Sequence, residues 1–161
     1  MGALFFAFLI VINKYVIERN MAYSKQVVER FESVLKNPEK HSVGRFDPTD
    51  PDVASGMVGA PSCGDVMKLD LKLEDNTIKD VKFKTYGCGS AIASSTMFVD
   101  MLKGLTVEEA KEIKDKEIAE ALDLPPIKLH CSVLAEEAIN KAIEDWENKK
   151  SVEAALFQPV T

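Results

Sequence analysis

Cysteine is scarce in this chain, and its three cysteines, Cys63, Cys88 and Cys131, are far apart. No two form a C-x-x-C pair, and an odd number of widely spaced thiols is a poor disulfide framework. A reducing compartment with thiols kept free for chemistry fits better, which argues against secretion. Basic runs are missing too. The formal net charge is −6, and without a dense cationic stretch nucleic acid is not an expected partner. Long apolar runs are also absent. Ala3 to Ile12 is unbroken and apolar, but it falls short of the roughly 20 residues that span a bilayer, so a membrane span is not expected. Lys14 and Arg19 follow this run and none of its residues is basic. A secretory signal needs the opposite order and a small-residue cleavage site, and a transit peptide needs an Arg-rich amphipathic segment. No internal repeat is visible.

What is present suits one domain with a real core. Of 161 residues, 46% are apolar and 29% charged, ordinary for a soluble globular protein. Residues 1–20 read as an apolar N-terminal extension, with a degenerate targeting or tethering segment as the alternative. The domain proper then runs over 21–150, and 151–161 form a patternless C-terminal tail.

Within the domain, Val27, Val28, Phe31 and Leu35 recur at helical spacing, and that helix ends near Asn37-Pro38. A loop rich in Asp, Pro and Gly is expected from about Gly44 to Gly64. Met67, Leu69, Leu71 and Leu73 alternate with Lys68, Asp70 and Lys72, and Val81, Phe83 and Thr85 with Lys82 and Lys84. These are two strands of a hairpin turning at Glu74-Asp75-Asn76, with the polar set on a solvated face. The rest reads as helices. One spans Ser90 to Lys103, with Ile92, Met97, Phe98, Met101 and Leu102 as core. The next opens on a capping box at Thr106-Val107-Glu108-Glu109. Asp115 caps a third, and Ser132 caps the last, which buries Ala135, Ile139, Ala142, Ile143 and Trp146. The class is α+β: a small antiparallel sheet packed against several helices, single domain.

The chemistry-bearing residues fall in three short motifs. Cys63 lies in Pro61-Ser62-Cys63-Gly64-Asp65, Cys88 in Tyr86-Gly87-Cys88-Gly89-Ser90, and Cys131 follows His130. Glycines permit the open backbone that a metal loop needs. Helix N-termini favour a thiolate, so Cys131 is the thiol expected to have a lowered pKa. With Asp65 and His130 there are five metal-competent side chains. Thiolate and imidazole suit zinc, copper(I) or iron–sulfur clusters. Spacing alone leaves open three unrelated buried thiols. His41 sits in a polar stretch and is read as solvated.

Longer stretches around these motifs resemble the U-type iron–sulfur cluster assembly scaffold family. They are Gly59-Ala60-Pro61-Ser62-Cys63-Gly64-Asp65-Val66-Met67, Phe83 through Ser95, and Leu124-Pro125-Pro126-Ile127-Lys128-Leu129-His130-Cys131-Ser132. The likeness covers about Ala22 to Lys149. In one departure, the family's Asn-Pro-Arg-Asn-Val-Gly stands here as Asn37-Pro38-Glu39-Lys40-His41-Ser42-Val43-Gly44, two residues longer and without the arginine.

The resemblance implies a scaffold, not an enzyme, on which a transient [2Fe–2S] cluster is built from iron and desulfurase-derived sulfur and passed to recipient apo-proteins. It implies Cys63, Asp65, Cys88, His130 and Cys131 as iron or cluster ligands, with zinc able to occupy the same site. Cys131 is then the persulfide acceptor and Asp65 the labile ligand. Implied partners are a cysteine desulfurase, a ferredoxin, a frataxin-like protein, and an Hsp70-type chaperone with its J-type co-chaperone. The chaperone segment is Leu124, Pro125, Pro126, Ile127 and Lys128, expected as an extended, exposed connector because two prolines bar helix. The compartment implied is bacterial cytoplasm or the matrix of a mitochondrion-related organelle. A zinc-dependent sulfur acceptor is the alternative, and a purely structural zinc domain a third reading.

Overall fold

The computed structural model describes residues 23–60 and 64–157. The N-terminal extension and Cys63, with Pro61 and Ser62, lie outside them. Helix α1 (Lys25–Lys36) leads to strands β1 (Val53–Ala60), β2 (Asp65–Glu74) and β3 (Thr77–Tyr86). Helices α2 (Gly89–Leu102), α3 (Val107–Lys111) and α4 (Asp115–Ala121) follow, then a 3-10 turn (Pro126–Lys128) and α5 (Leu129–Leu156). The sheet is antiparallel in the order β1-β2-β3. The α+β class is therefore as the sequence implies. No described helix is long and apolar enough to cross a membrane.

The hairpin and its turn follow the sequence pattern. Leu69 pairs with Phe83 and Leu71 with Val81, all buried. Asp75 (φ 48°) and Asn76 (φ 65°) both take positive φ, the requirement of a tight primed turn. Trp146 Nε1 donates to Asn76 Oδ1 at 3.3 Å, which ties the far part of α5 to this turn.

Several expectations are corrected. Val53–Ala60, expected as loop, is strand β1 and adds an edge to the expected hairpin. Asp70, expected on a solvated face, is 1% exposed. The segment after α1 crosses that face: Val43 bridges to Phe83, and Asp70 accepts from Arg45 Nε and Phe46 N, both at 3.2 Å, and from Ser55 Oγ at 2.7 Å. His41, expected as solvated, contacts Ser33 Oγ through Nε2 at 2.7 Å and pins the same segment to α1. In α1 the buried residues are Val27 and Val34, while Val28 and Leu35 are exposed.

The helices differ from expectation mainly in depth and ends. α2 is buried nearly all round, with Ala91, Ala93, Ser94, Ser95 and Thr96 inside beside Phe98 and Leu102. That is the pattern of a central helix. Ile92, Met97 and Met101 are only partly buried. The capping box at Thr106 and Glu109 forms as expected. Asp115 does not cap α4; its N–H donates to Glu136 Oε2 at 2.8 Å. α5 begins at Leu129, before Ser132, and runs unbroken through Lys150 to Leu156, where a tail was expected. Its predicted core residues are all buried.

α5 lies directly on β1. A Cβ on Gly56 would overlap the Ala138 carbonyl oxygen and lie 2.6 Å from the Ala142 nitrogen. Backbone cannot yield there, so Gly56→Ala should lower stability by about 1–3 kcal/mol or more through overpacking. Gly59→Ala, whose added Cβ meets ordinary 3.7–3.8 Å contacts, should be near neutral. Urea midpoints measure the difference, and equal midpoints would show that α5 does not rest on Gly56.

Candidate metal centre

Three element ends meet at one place. Asp65 is the first residue of β2, Cys88 is the N-cap of α2, and His130 and Cys131 stand in the first turn of α5. Their ligand atoms all lie within 4.8 Å of one another. Cys88 Sγ is 3.7 Å from Cys131 Sγ, and each sulfur is 4.0 Å from Asp65 Oδ2. His130 Nε2 is 3.4 Å from Cys131 Sγ and 3.3 Å from Asp65 Oδ2. A tetrahedral ion with arms of about 2.0–2.3 Å needs ligand–ligand edges of about 3.3–3.8 Å. The Cys88–Cys131, His130–Cys131 and His130–Asp65 edges fit that requirement, whereas the two sulfur–Asp65 edges of 4.0 Å would have to shorten by a few tenths of an ångström around an ion. Four of the five expected ligands are thus together, and the fifth, Cys63, lies outside the described residues.

Burial sets the electrostatics. Asp65 is 3% exposed, and one of its oxygens accepts the Cys88 backbone N–H at 3.1 Å. Cys131 is buried, whereas Cys88 is partly open. The expected lowering of the Cys131 pKa is corrected. Desolvation, followed by the neighbouring Cys88 and Asp65, holds this thiol far above its ordinary range despite its helix N-terminus. Stability of the metal-free chain therefore falls as pH rises above the ordinary thiol range, because folding keeps a proton that the unfolded thiol loses.

A residue outside the metal-competent set also shapes this centre. A Cβ on Gly87 would overlap Asp65 Oδ1 and lie 2.8 Å from its Cγ. The glycine before Cys88 is therefore needed for the close approach of the carboxylate, a stricter demand than loop openness. The flank of the site is closed from the N-terminal side. Tyr23 approaches Gly89, the Lys128 ammonium lies 5.4 Å from the Tyr23 ring centroid, and Ser24 donates to the Leu122 carbonyl.

The proline segment is also corrected. Pro125 is extended, but Pro126–Lys128 make a 3-10 turn, which proline tolerates at its start. Leu124 is buried in the core, whereas Ile127 is 75% exposed. The segment is only half the exposed strand that its prolines suggested.

The chain matches the NifU-like N terminal domain family over residues 22–153. It is 56% identical over 133 residues to the iron-sulfur cluster assembly scaffold protein IscU of Azotobacter vinelandii, covering 82% of this chain and 99% of the relative. The protein of the same name from Escherichia coli K12 is 54% identical over 131 residues, covering 81% and 98%. Among solved structures, the N-terminal part of a nitrogen-fixing NifU-like protein from Brucella abortus shares the fold. Its TM-score is 0.62 at 22% identity, covering 78% of this chain and 94% of that one.

Gly87→Ala should displace Asp65 and weaken zinc binding by about 10- to 100-fold, the usual cost of disturbing a ligand's support. Competition with a chromophoric chelator measures this. Zinc affinity equal to that of the parent chain would mean that Asp65 does not need the space Gly87 leaves.

Proposed function

The chain belongs to the NifU-like N-terminal family, and from that premise we propose that it is a non-enzymatic scaffold on which an iron–sulfur cluster is assembled and then passed on. The observation that carries this is the convergence of Asp65, Cys88, His130 and Cys131 within 4.8 Å. Two thiolates suit iron and sulfide, and the imidazole and carboxylate are harder donors that leave the site less committed than four thiolates. A scaffold needs that balance, since it must hold its cargo and also release it.

The finer reading is a [2Fe–2S] cargo, with Cys63 as the third thiolate and zinc as the occupant when sulfide is absent. Sulfur comes from a cysteine desulfurase. The Cys131 thiolate attacks the terminal sulfur of the donor's persulfide, the donor's S–S bond breaks, its thiolate leaves, and Cys131 carries the new persulfide. Because Cys131 is buried, the first turn of α5 must open for that attack. A ferredoxin would supply electrons and a frataxin-like protein would assist assembly. The compartment would be bacterial cytoplasm or an organellar matrix.

After anaerobic reconstitution with iron and sulfide the chain should gain visible absorption, and Cys88→Ala or Cys131→Ala should weaken it sharply. A colourless parent chain would sink the scaffold reading. Asp65→Ala removes the oxygen donor at the labile corner, so its cluster should persist longer and transfer more slowly to an apo-acceptor; faster decay than the parent's would reverse this role. With desulfurase and free cysteine, the persulfide should map to the peptide containing His130 and Cys131. Its confinement to Cys88 would reassign the acceptor to the more exposed thiol.

An Hsp70-type chaperone, with its J-type co-chaperone, would grip Leu124–Lys128 and draw on His130 and Cys131 just beyond. Leu124 must first leave the core, so the free peptide should stimulate the chaperone's ATPase more strongly than an equal concentration of folded chain. If chaperone-driven transfer is unchanged after all five residues become Gly and Ser, the segment has no such role.

A further inference from the structure

β1 is the edge strand of the sheet, and only half of its edge is closed. The Asp52 carbonyl accepts the Leu73 N–H at 2.8 Å, which fixes the alternation along the strand. Residues 54, 56 and 58 turn their backbone groups to β2, while Val53, Ser55, Met57 and Gly59 turn theirs outward. Two of the outward groups are taken by α5: the Val53 carbonyl accepts from Lys149 Nζ at 2.6 Å, and the Ser55 N–H donates to Asp145 Oδ2 at 2.9 Å. The outward N–H and C=O groups of Met57 and Gly59 meet no described partner.

Beside this open half lies a groove of about 420 Å³, lined by Val58 and by Glu137, Asn140, Lys141 and Glu144 of α5. The helix wall carries two carboxylates against one ammonium, and Lys141 Nζ is already 2.8 Å from Glu144. Met57, on the opposite face of the strand from Gly56 and α5, is 65% exposed.

We propose that this edge takes an extended segment of a partner protein as a fourth strand, one whose side chains alternate basic and apolar. The outward backbone row supplies main-chain bonds, as in strand addition, and alternate side chains fall on opposite faces. Those on the α5 side meet Glu137 and Glu144, and those on the other side lie along Met57. A second copy fits poorly, because edge-to-edge pairing would face one carboxylate wall with another. The apolar run Ala3–Ile12 has no basic residue to answer that wall.

The position gives the segment a purpose that rests on the scaffold reading. Ala60 pairs with Asp65, so the open half lies at the metal-centre end and the closed half away from it. A strand halted at Ser55 has its other end beside the cargo, where a recipient's cysteine could take it.

The test uses the full chain, isotopically labelled, with the probe acetyl-Lys-Val-Lys-Val-Lys-amide and an N-methylated version unable to form ladder bonds. Chemical shifts should move at Met57, Gly59, Glu137 and Lys141, and hydrogen exchange at Met57 and Gly59 should slow on probe binding. Glu137→Lys with Glu144→Lys should weaken binding about tenfold. Met57→Pro should abolish it, since that N–H faces outward and no ladder bond within the sheet is lost; unchanged Leu69 and Phe83 shifts confirm that this variant folds. Equal binding of the N-methylated probe, or shifts centred on Tyr86 instead, would overturn strand addition. So would protection of the same amides by self-association, or by the N-terminal run as shown by their exposure when Phe5, Phe6 and Leu9 become Asp. None of these readouts needs metal, so Cys88→Ala should bind the probe normally even where cluster assembly fails. Probe binding without faster cluster transfer to a cysteine-ended version would overturn the delivery role alone.

Discussion

At Gly56, α5 crosses β1 with no strand side chain between the two backbones, and most of the molecule is arranged around that contact. Gly56 admits the Ala138 and Ala142 backbone, and this close approach fixes the helix in rotation as well as distance. Its inward stripe, from Ala135 to Trp146, then fills the core. Its first turn delivers His130 and Cys131 to the start of β2, and its outer side chains Asp145 and Lys149 close the far half of the sheet edge. A larger residue at 56 would lift all three at once. Packing at one glycine therefore bears on chemistry more than two turns of helix away.

The site itself is electrostatically self-opposing when empty of metal. A buried carboxylate, two thiols 3.7 Å apart and an imidazole share one small volume. Burial first, and then the neighbouring Cys88 and Asp65, make Cys131 hold its proton. A bound cation removes the opposition and releases protons, so metal affinity and local order are coupled to pH. The network of Asp65 with His130 and the Cys88 N–H keeps the donors together in the meantime. A site of this kind holds its donors in place without committing them.

Periodicity made the helices and the β2–β3 hairpin legible, because each buries a regular stripe. β1 was invisible for a physical reason. Val-Ala-Ser-Gly-Met-Val-Gly-Ala has few of the bulky residues that favour strands, and its small residues answer to the helix lying on them. Asp70 was misplaced because alternation reports which side faces the core and says nothing about a loop crossing the other side. Leu124 was misjudged because local proline chemistry does not show that the preceding residue is core. The motifs named the four side chains that the fold brings together, Asp65, Cys88, His130 and Cys131, yet the lowered thiol pKa inferred from helix position failed against burial. Gly87 could have been found by asking what the residue before a ligand must leave room for.

Helix capping separates the parts of the chain that secure the fold from the part that binds. Ser24 caps α1, the Thr106–Glu109 box caps α3, and Glu136 satisfies the first N–H of α4. The N-cap residues of α2, α4 and α5 make no side-chain cap, and of these helices α2 and α5 begin at the metal centre. Cys88 occupies the position where Ser, Thr or Asp would add about 1 kcal/mol. The positive dipole ends of the two helices lie beside the thiols and carboxylate, where the Cys88 N–H donates to Asp65 and the Leu129 N–H is taken by the Pro126 carbonyl. Two helix starts without a side-chain cap thus stand where an anionic, sulfide-bearing cargo would meet them. The stability lost there is local, which suits ligands that must part from their cargo without unfolding the sheet beneath.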